Sequence, residues 1–458
     1  MTSRVATRYL SSSMSTCNST PSFNFDLNNL LNQVNSNVSA LVRRKHVNSD
    51  GLTANQTTSG PVSSAKTKPK SVAHQYKRST HPTSVPLNRL FKNQFPLSIR
   101  ESFDDYSYRR DPLKFQHTLL SALPFFPEPD VTGRSSQVIQ TVIDEEGNYI
   151  NEFVIYPPGK SEADTKTLNH LIMVHGYGGG LGFFLKNFDK ISTVDNWCVH
   201  AIDLLGYGCS SRPPFKLEKE DIHSVDNWFH DSYEAWLRKR SLYNLPPSQV
   251  LVMAHSMGAY LMGTYGIKRN PDFCHKLLMV SPGAIIKHRK PVPVPLYFAK
   301  LWEQNISPFV LVRKTGPLGS KIVSGWSSRR FAKLTRQEAT WLHKYAYGIF
   351  SSPGSGEYML NYLLAPGADA RFPLIERGIH KLRCKLGWWY GKEDWMDVKG
   401  GQLCSNIINN YYHDPHRSEI IEVDDSGHHV YLDNIDKFNE LLTNEMKQMN
   451  EELKSEST

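Results

Sequence analysis

The sequence predicts an α/β fold: a mostly parallel eight-stranded sheet with helices on both faces and one large insertion, preceded by a disordered tail. Three observations lead there. From Glu101 onward, short apolar runs alternate with longer mixed segments, the rhythm of strand and helix in turn. The runs are mostly apolar throughout, as strands covered on both faces must be. The interval 284–384 is far too long for a single crossover between successive strands.

Taken in order, segments 137–143 and 149–156 flank the turn residues Glu145, Glu146, Gly147 and Asn148 and read as an opening antiparallel hairpin. Apolar runs follow at 170–176, 197–206, 249–256, 275–282, 385–391 and 419–427, with helical patterns at 224–240, 257–269 and 402–411 between them. The interval 284–384, with Pro291, Pro293 and Pro295 and many aromatics, is expected to be an inserted lid. It divides the core into 101–283 and 385–458. Its part 284–344 holds 12 Lys/Arg and two acids, Glu303 and Glu338. Arg313, Lys314, Arg329 and Arg330, interleaved with Trp302, Phe309, Trp326 and Phe331, are expected to meet an anionic lipid surface.

Residues 1–100 carry 13 Lys/Arg against Asp26 and Asp50, so the chain's +9 excess sits wholly in this tail. A folded body that is near neutral is not a basic nucleic-acid-binding surface. The tail is rich in Ser, Thr, Asn and Pro, too polar to offset its own ordering entropy. Its first 25 residues hold Arg4, Arg8, seven serines and no acid, the composition of a mitochondrial transit peptide. Six scattered cysteines without a C-x-x-C pair support neither a disulfide framework nor a zinc site. No apolar run approaches the roughly 18 residues of a spanning helix, so membrane contact is expected to be peripheral.

Residues 254–258, Ala-His-Ser-Met-Gly, lie between an apolar run and a helical pattern. A sharp strand-to-helix turn needs small residues two before and two after a nucleophile, so that its hydroxyl projects from the sheet top. Ser256 therefore reads as the nucleophile, with Ala254 in place of the usual first glycine. A serine hydroxyl needs a base, and the base an orienting acid. Asp394 follows the run at 385–391, with Asp397 as the alternate acid, and His428 follows the last run, just after Gly427. His175 and Gly176, ahead of Tyr177 and Gly178, follow the run where a second oxyanion donor arises. The expected donors are the backbone N–H groups of Tyr177 and Met257. This chemistry calls for no cofactor and no metal.

HGYGGGLGFF (175–184), DLLGYGCSSRP (203–213), AHSMGAYL (254–261), YGKEDWMD (390–397) and GHHVYLDN (427–434) together resemble an α/β-hydrolase-domain subfamily. It includes fungal mitochondrial cardiolipin deacylases and related lysophosphatidic-acid acyltransferases, and the resemblance covers roughly residues 110–445. It implies the α/β-hydrolase fold and a triad of Ser256, Asp394 and His428. It also implies an H-x4-D element associated with acyl transfer, here His428 and Asp433. Some relatives lack the nucleophile and act as non-catalytic co-activators; Ser256 counts against that role. The implied activity is a phospholipase A type acyl hydrolase acting on phospholipid at the mitochondrial inner membrane. The alternatives are transfer to a lysophospholipid from acyl-CoA, a lipid-surface adaptor, and a cytoplasmic or lipid-droplet location.

Overall fold

A computed structural model describes residues 97–109, 111–216, 221–288, 296–367 and 369–456. Residues 1–96 of the tail, with its transit-peptide reading, and Pro291, Pro293 and Pro295 lie outside the described residues. The tail's last residues, expected to be disordered, are ordered by the capped start of the first helix.

Eight strands form one sheet: β1 (Ser135–Val142), β2 (Tyr149–Tyr156), β3 (Asn169–Val174), β4 (Trp197–Asp203), β5 (Val250–His255), β6 (Lys276–Val280), β7 (Lys385–Gly391) and β8 (Ser418–Val423). Their order is β1-β2-β4-β3-β5-β6-β7-β8. The first two form the expected hairpin and β2 joins β4 antiparallel; every other pairing is parallel. Each of β3 to β6 is buried along its whole length. Side-chain alternation then splits each strand between two cores. In β3, Leu171 and Met173 enter one apolar layer while Ile172 and Val174 enter the other.

The first layer is closed by α2 (Pro112–Leu120), α3 (Leu185–Ile191) and the last helix, α11 (Ile435–Glu456). The second is closed by α4 (Ile222–Lys239), α5 (Met257–Lys268) and α10 (Val398–Tyr412). Ahead of the sheet, α1 (Ile99–Tyr108) begins in a capping box in which Ser98 and Glu101 satisfy each other's N–H groups. These strands and helices form the α/β-hydrolase fold that the motifs imply.

The interval between β6 and β7 is largely helical: α6 (Leu296–Glu303), α7 (Phe309–Lys314), α8 (Gly319–Arg330) and α9 (Arg336–Ser351). It is more deeply built in than a flap. Helix α9 buries Leu342, Tyr345, Ala346 and Ile349 in the first layer. The Tyr345 hydroxyl accepts from Gly182 N–H at 3.2 Å, and a Cβ on Gly182 would clash with that ring.

Candidate active site

The expected nucleophile, base and acid collect where parallel strands end, the edge at which such sheets bind ligands. Ser256 stands between β5 and α5 at φ +53° and ψ −115°. That conformation is costly for a side-chain-bearing residue and persists only where its surroundings hold it. Here the Ser256 N–H donates to Val280 O at 2.9 Å, and its carbonyl accepts from Gly283 N–H at 3.2 Å. Gly258 is required because any Cβ there would run into the His175 carbonyl. Ala254 is fully buried in β5, paired with Val174 and Met279, so its methyl is absorbed by the sheet.

Ser256 Oγ lies 3.0 Å from His428 Nε2, and His428 Nδ1 lies 3.1 Å from Asp394 Oδ1. The Asp394 side chain is 1% exposed and takes a further N–H from Met396 at 3.0 Å. Asp397, the alternate acid, is engaged elsewhere: it caps α10 through Lys399 N–H at 2.9 Å and faces His288 Nε2 at 3.4 Å. The ring of Trp395 packs 5.0 Å from that of His428.

The turn after β3 brings the second oxyanion element beside the nucleophile. His175 bridges it: Nδ1 lies 2.7 Å from Gly176 O, and Nε2 3.0 Å from Leu204 N. Because Leu204 N–H must donate, Nε2 is the bare nitrogen, and Nδ1–H donates to Gly176 O. Burial keeps His175 below the usual imidazole range, so it stays neutral in this role. Fixing that carbonyl fixes its own peptide plane, which also carries the Tyr177 N–H. Among the described residues neither this N–H nor that of Met257 meets a backbone carbonyl. Asp203 anchors the far side of the turn, accepting from Leu181 N–H at 2.7 Å, Cys209 N–H at 2.8 Å and Asn151 Nδ2 at 2.8 Å. Burial raises its carboxyl despite these donors and the nearby His175. From the insertion, Phe309 stacks on Tyr177 with centroids 5.7 Å apart and closes over Gly178.

The remaining expected site residues fall differently. The two ring nitrogens of His428 are held by Asp394 and Ser256 rather than by Asp433. The Asp433 carboxylate instead accepts from Gly427 N–H at 3.0 Å and faces Arg330. Two of the four expected lipid contacts are corrected by their partners. Arg313 forms a two-pronged pair with Glu357, which is 3% exposed, and Arg330 is turned inward against Asp433, which is 1% exposed. Lys314 is exposed, and Arg329 is half-buried with Nε on Gly325 O at 2.9 Å.

Sequence reasoning did not single out a second polar cluster, which lies within the sheet between β2, β3 and β4. His170 Nδ1 meets His200 Nε2 at 2.9 Å, His170 Nε2 meets Thr165 O at 2.7 Å, and His200 Nδ1 meets Glu152 Oε1 at 2.6 Å. Cys198 lies alongside, a grouping of metal-ligand type. All four ring nitrogens are already used by hydrogen bonds, so the cluster is a buried hydrogen-bonded chain. Burial pushes the Glu152 carboxyl up, but the hydrogen bond and charge of His200 and the charge of Arg240 outweigh it and hold it low.

An acid, a base and a hydroxyl in series beside the Tyr177 and Met257 N–H groups can carry out acyl transfer through serine. The chain belongs to the family described as alpha/beta hydrolase fold, whose profile matches residues 169–435. Its relatives carry the names of lipid-acting enzymes. An Arabidopsis thaliana 1-acylglycerol-3-phosphate O-acyltransferase is 32% identical over 291 residues, 58% of this chain and 63% of that one. A Bos taurus (lyso)-N-acylphosphatidylethanolamine lipase is 30% identical over 285 residues, 59% of this chain and 77% of that one. The Rattus norvegicus 1-acylglycerol-3-phosphate O-acyltransferase ABHD5 is 27% identical over 281 residues, 59% and 75% of the two chains. The chain thus spans less than two thirds of the plant relative's length. Among the described residues no helix is long and apolar enough to cross a membrane.

Proposed function

We propose that the protein is a serine-dependent phospholipid acyl hydrolase of phospholipase A type, similar to a cardiolipin deacylase, working on the mitochondrial inner membrane. The observation that carries the chemistry is the 3.0 Å approach of Ser256 Oγ to His428 Nε2, with Asp394 behind the ring. His428 takes the hydroxyl proton as Ser256 Oγ attacks the ester carbonyl, and Asp394 orients the ring and stabilises the imidazolium. The N–H groups of Tyr177 and Met257 receive the oxyanion. Collapse expels the lysophospholipid, which leaves with the proton from His428. Water, deprotonated by the same histidine, then releases the fatty acid and restores the serine.

Acyl transfer to a lysophospholipid is the second reading, favoured by the acyltransferase names of two relatives. Its acyl donor would be a diacyl lipid or acyl-CoA. The test measures free fatty acid and acylated lysolipid side by side for wild type, Ser256→Ala and His428→Ala. Through an acyl-serine, both products vanish in both variants, with losses of about 10⁶ in rate. Acyl-CoA-dependent transfer that survives Ser256→Ala would overturn this reading. The location rests on the acid-free, serine-rich first 25 residues with Arg4 and Arg8. Residues 1–100 fused to a fluorescent reporter should enter mitochondria; diffuse cytosolic signal would sink that part.

A further inference from the structure

The loop that carries His428 is gripped from the insertion. Helix α8 ends at Arg330, whose Nη1 lies 3.5 Å from Asp433 Oδ1. Three residues on, Lys333 Nζ donates to Asp433 O at 2.7 Å and to Asp425 O at 3.3 Å, one carbonyl on each side of His428. A single helical turn, Val430–Asp433, folds the chain back so that Asp433 Oδ2 accepts from Gly427 N–H at 3.0 Å. Gly427 immediately precedes the histidine. The spacing His-x4-Asp is thus what one helical turn needs to bring a carboxylate back under its own entry peptide.

We infer that Asp433 is a positioning residue for His428, clamped by Arg330 and Lys333, and that it takes no chemical part in hydrolysis or acyl transfer. The insertion thereby sets the height of the base above the sheet. The His428 ring has no nitrogen left for Asp433, and the Asp433 carboxylate is occupied by one N–H and one guanidinium. Removing one member of a buried pair leaves the other charge uncompensated, whereas removing both need not.

The inference rests on the serine chemistry proposed above, and its test is arranged to fail separately. Turnover of a soluble chromogenic ester and labelling of Ser256 by a fluorophosphonate are measured for wild type, Asp433→Asn, Arg330→Met and the double variant. Asparagine keeps an acceptor for Gly427 N–H, so the double variant removes both paired charges while retaining that hydrogen bond. Each single variant should lose roughly 10²-fold in kcat, with KM little changed, because about 1 Å of misplacement costs that much. The double variant should recover to within about fivefold of wild type, the coupling expected of residues in contact. Labelling should rank the same way, and fatty-acid release and acyl transfer should fall in parallel. Loss of transfer with hydrolysis retained in Asp433→Asn would overturn the inference, as would a double variant no faster than the singles, folded or not. If phospholipid proves not to be the substrate, the labelling ranking still decides.

Discussion

A methyl group on Gly176 would stand 2.9 Å from Ser256 Cβ and 2.8 Å from His255 Nδ1. The glycine turn and the nucleophile turn are therefore pressed together with no space for a side chain. Gly176→Ala should displace the Tyr177 N–H and cost about 10²-fold in kcat, the scale of losing one oxyanion donor. Steady-state kinetics on a soluble ester checks this, and a wild-type kcat would show that the Tyr177 donor is not used.

Asp394→Asn and Asp397→Asn should separate sharply. The first leaves His428 with the wrong tautomer and should lower kcat by about 10⁴-fold. The second keeps a side-chain oxygen at the α10 cap and should cost only a few tenths of a kcal/mol of stability, with activity near wild type. The reverse ranking would move the acid to Asp397.

Stability should fall as the solution is acidified through the histidine range. Burial, reinforced by His200, lowers His170 to about 3, and burial lowers His230 to about 4. Burial and the neighbouring His428 hold His255 well below its ordinary 6.5. Below about pH 6.5 the unfolded chain binds protons at these sites that the folded chain refuses, so each removes up to about 1.4 kcal/mol per pH unit. The loss is absent above that pH and continues down toward about pH 4 for His230 and about pH 3 for His170. Urea midpoints at about pH 7 and pH 5 measure it; equal midpoints would mean that these histidines are protonated in the fold.

Charge changes in the insertion should sort by partner. Lys314→Gln should weaken binding to anionic vesicles by about 1 kcal/mol, an effect that shrinks in high salt. Arg313→Gln should instead destabilise the fold by about 3–5 kcal/mol, because it strands buried Glu357. Vesicle co-sedimentation beside thermal unfolding distinguishes the two. Unchanged vesicle affinity for Lys314→Gln at low salt would return this position to an ordinary solvated surface.

Much of the sheet was legible because burial on both faces demands continuous apolar runs, and these need no knowledge of partners. Ser256 and His428 were legible because a strand end and a flanking glycine are local features. The choice between Asp394 and Asp397 was open, since three residues of loop decide which carboxylate turns inward and which caps a helix. The inward pairing of Arg313 and Arg330 was not legible for a related reason. Composition counts charges, but whether Arg313 and Arg330 face a membrane depends on Glu357 and Asp433, the latter about a hundred residues away in the chain. Glu152 gave no signal because its partners, His200, Trp236 and Arg240, come from other elements.

His428 follows Ser256 by 172 positions, with the whole insertion between them. On a ribosome adding about 5–20 residues per second, the serine emerges roughly 9–34 s before its base. The last helix, which ties down the strand ends through Asn450 to Asn169 and Trp197, emerges later still. A growing chain therefore displays its hydroxyl with no group to deprotonate it. On the serine chemistry proposed above, an ester that the nascent chain meets is safe from it, and the onset of activity is timed by the arrival of the carboxyl-terminal stretch.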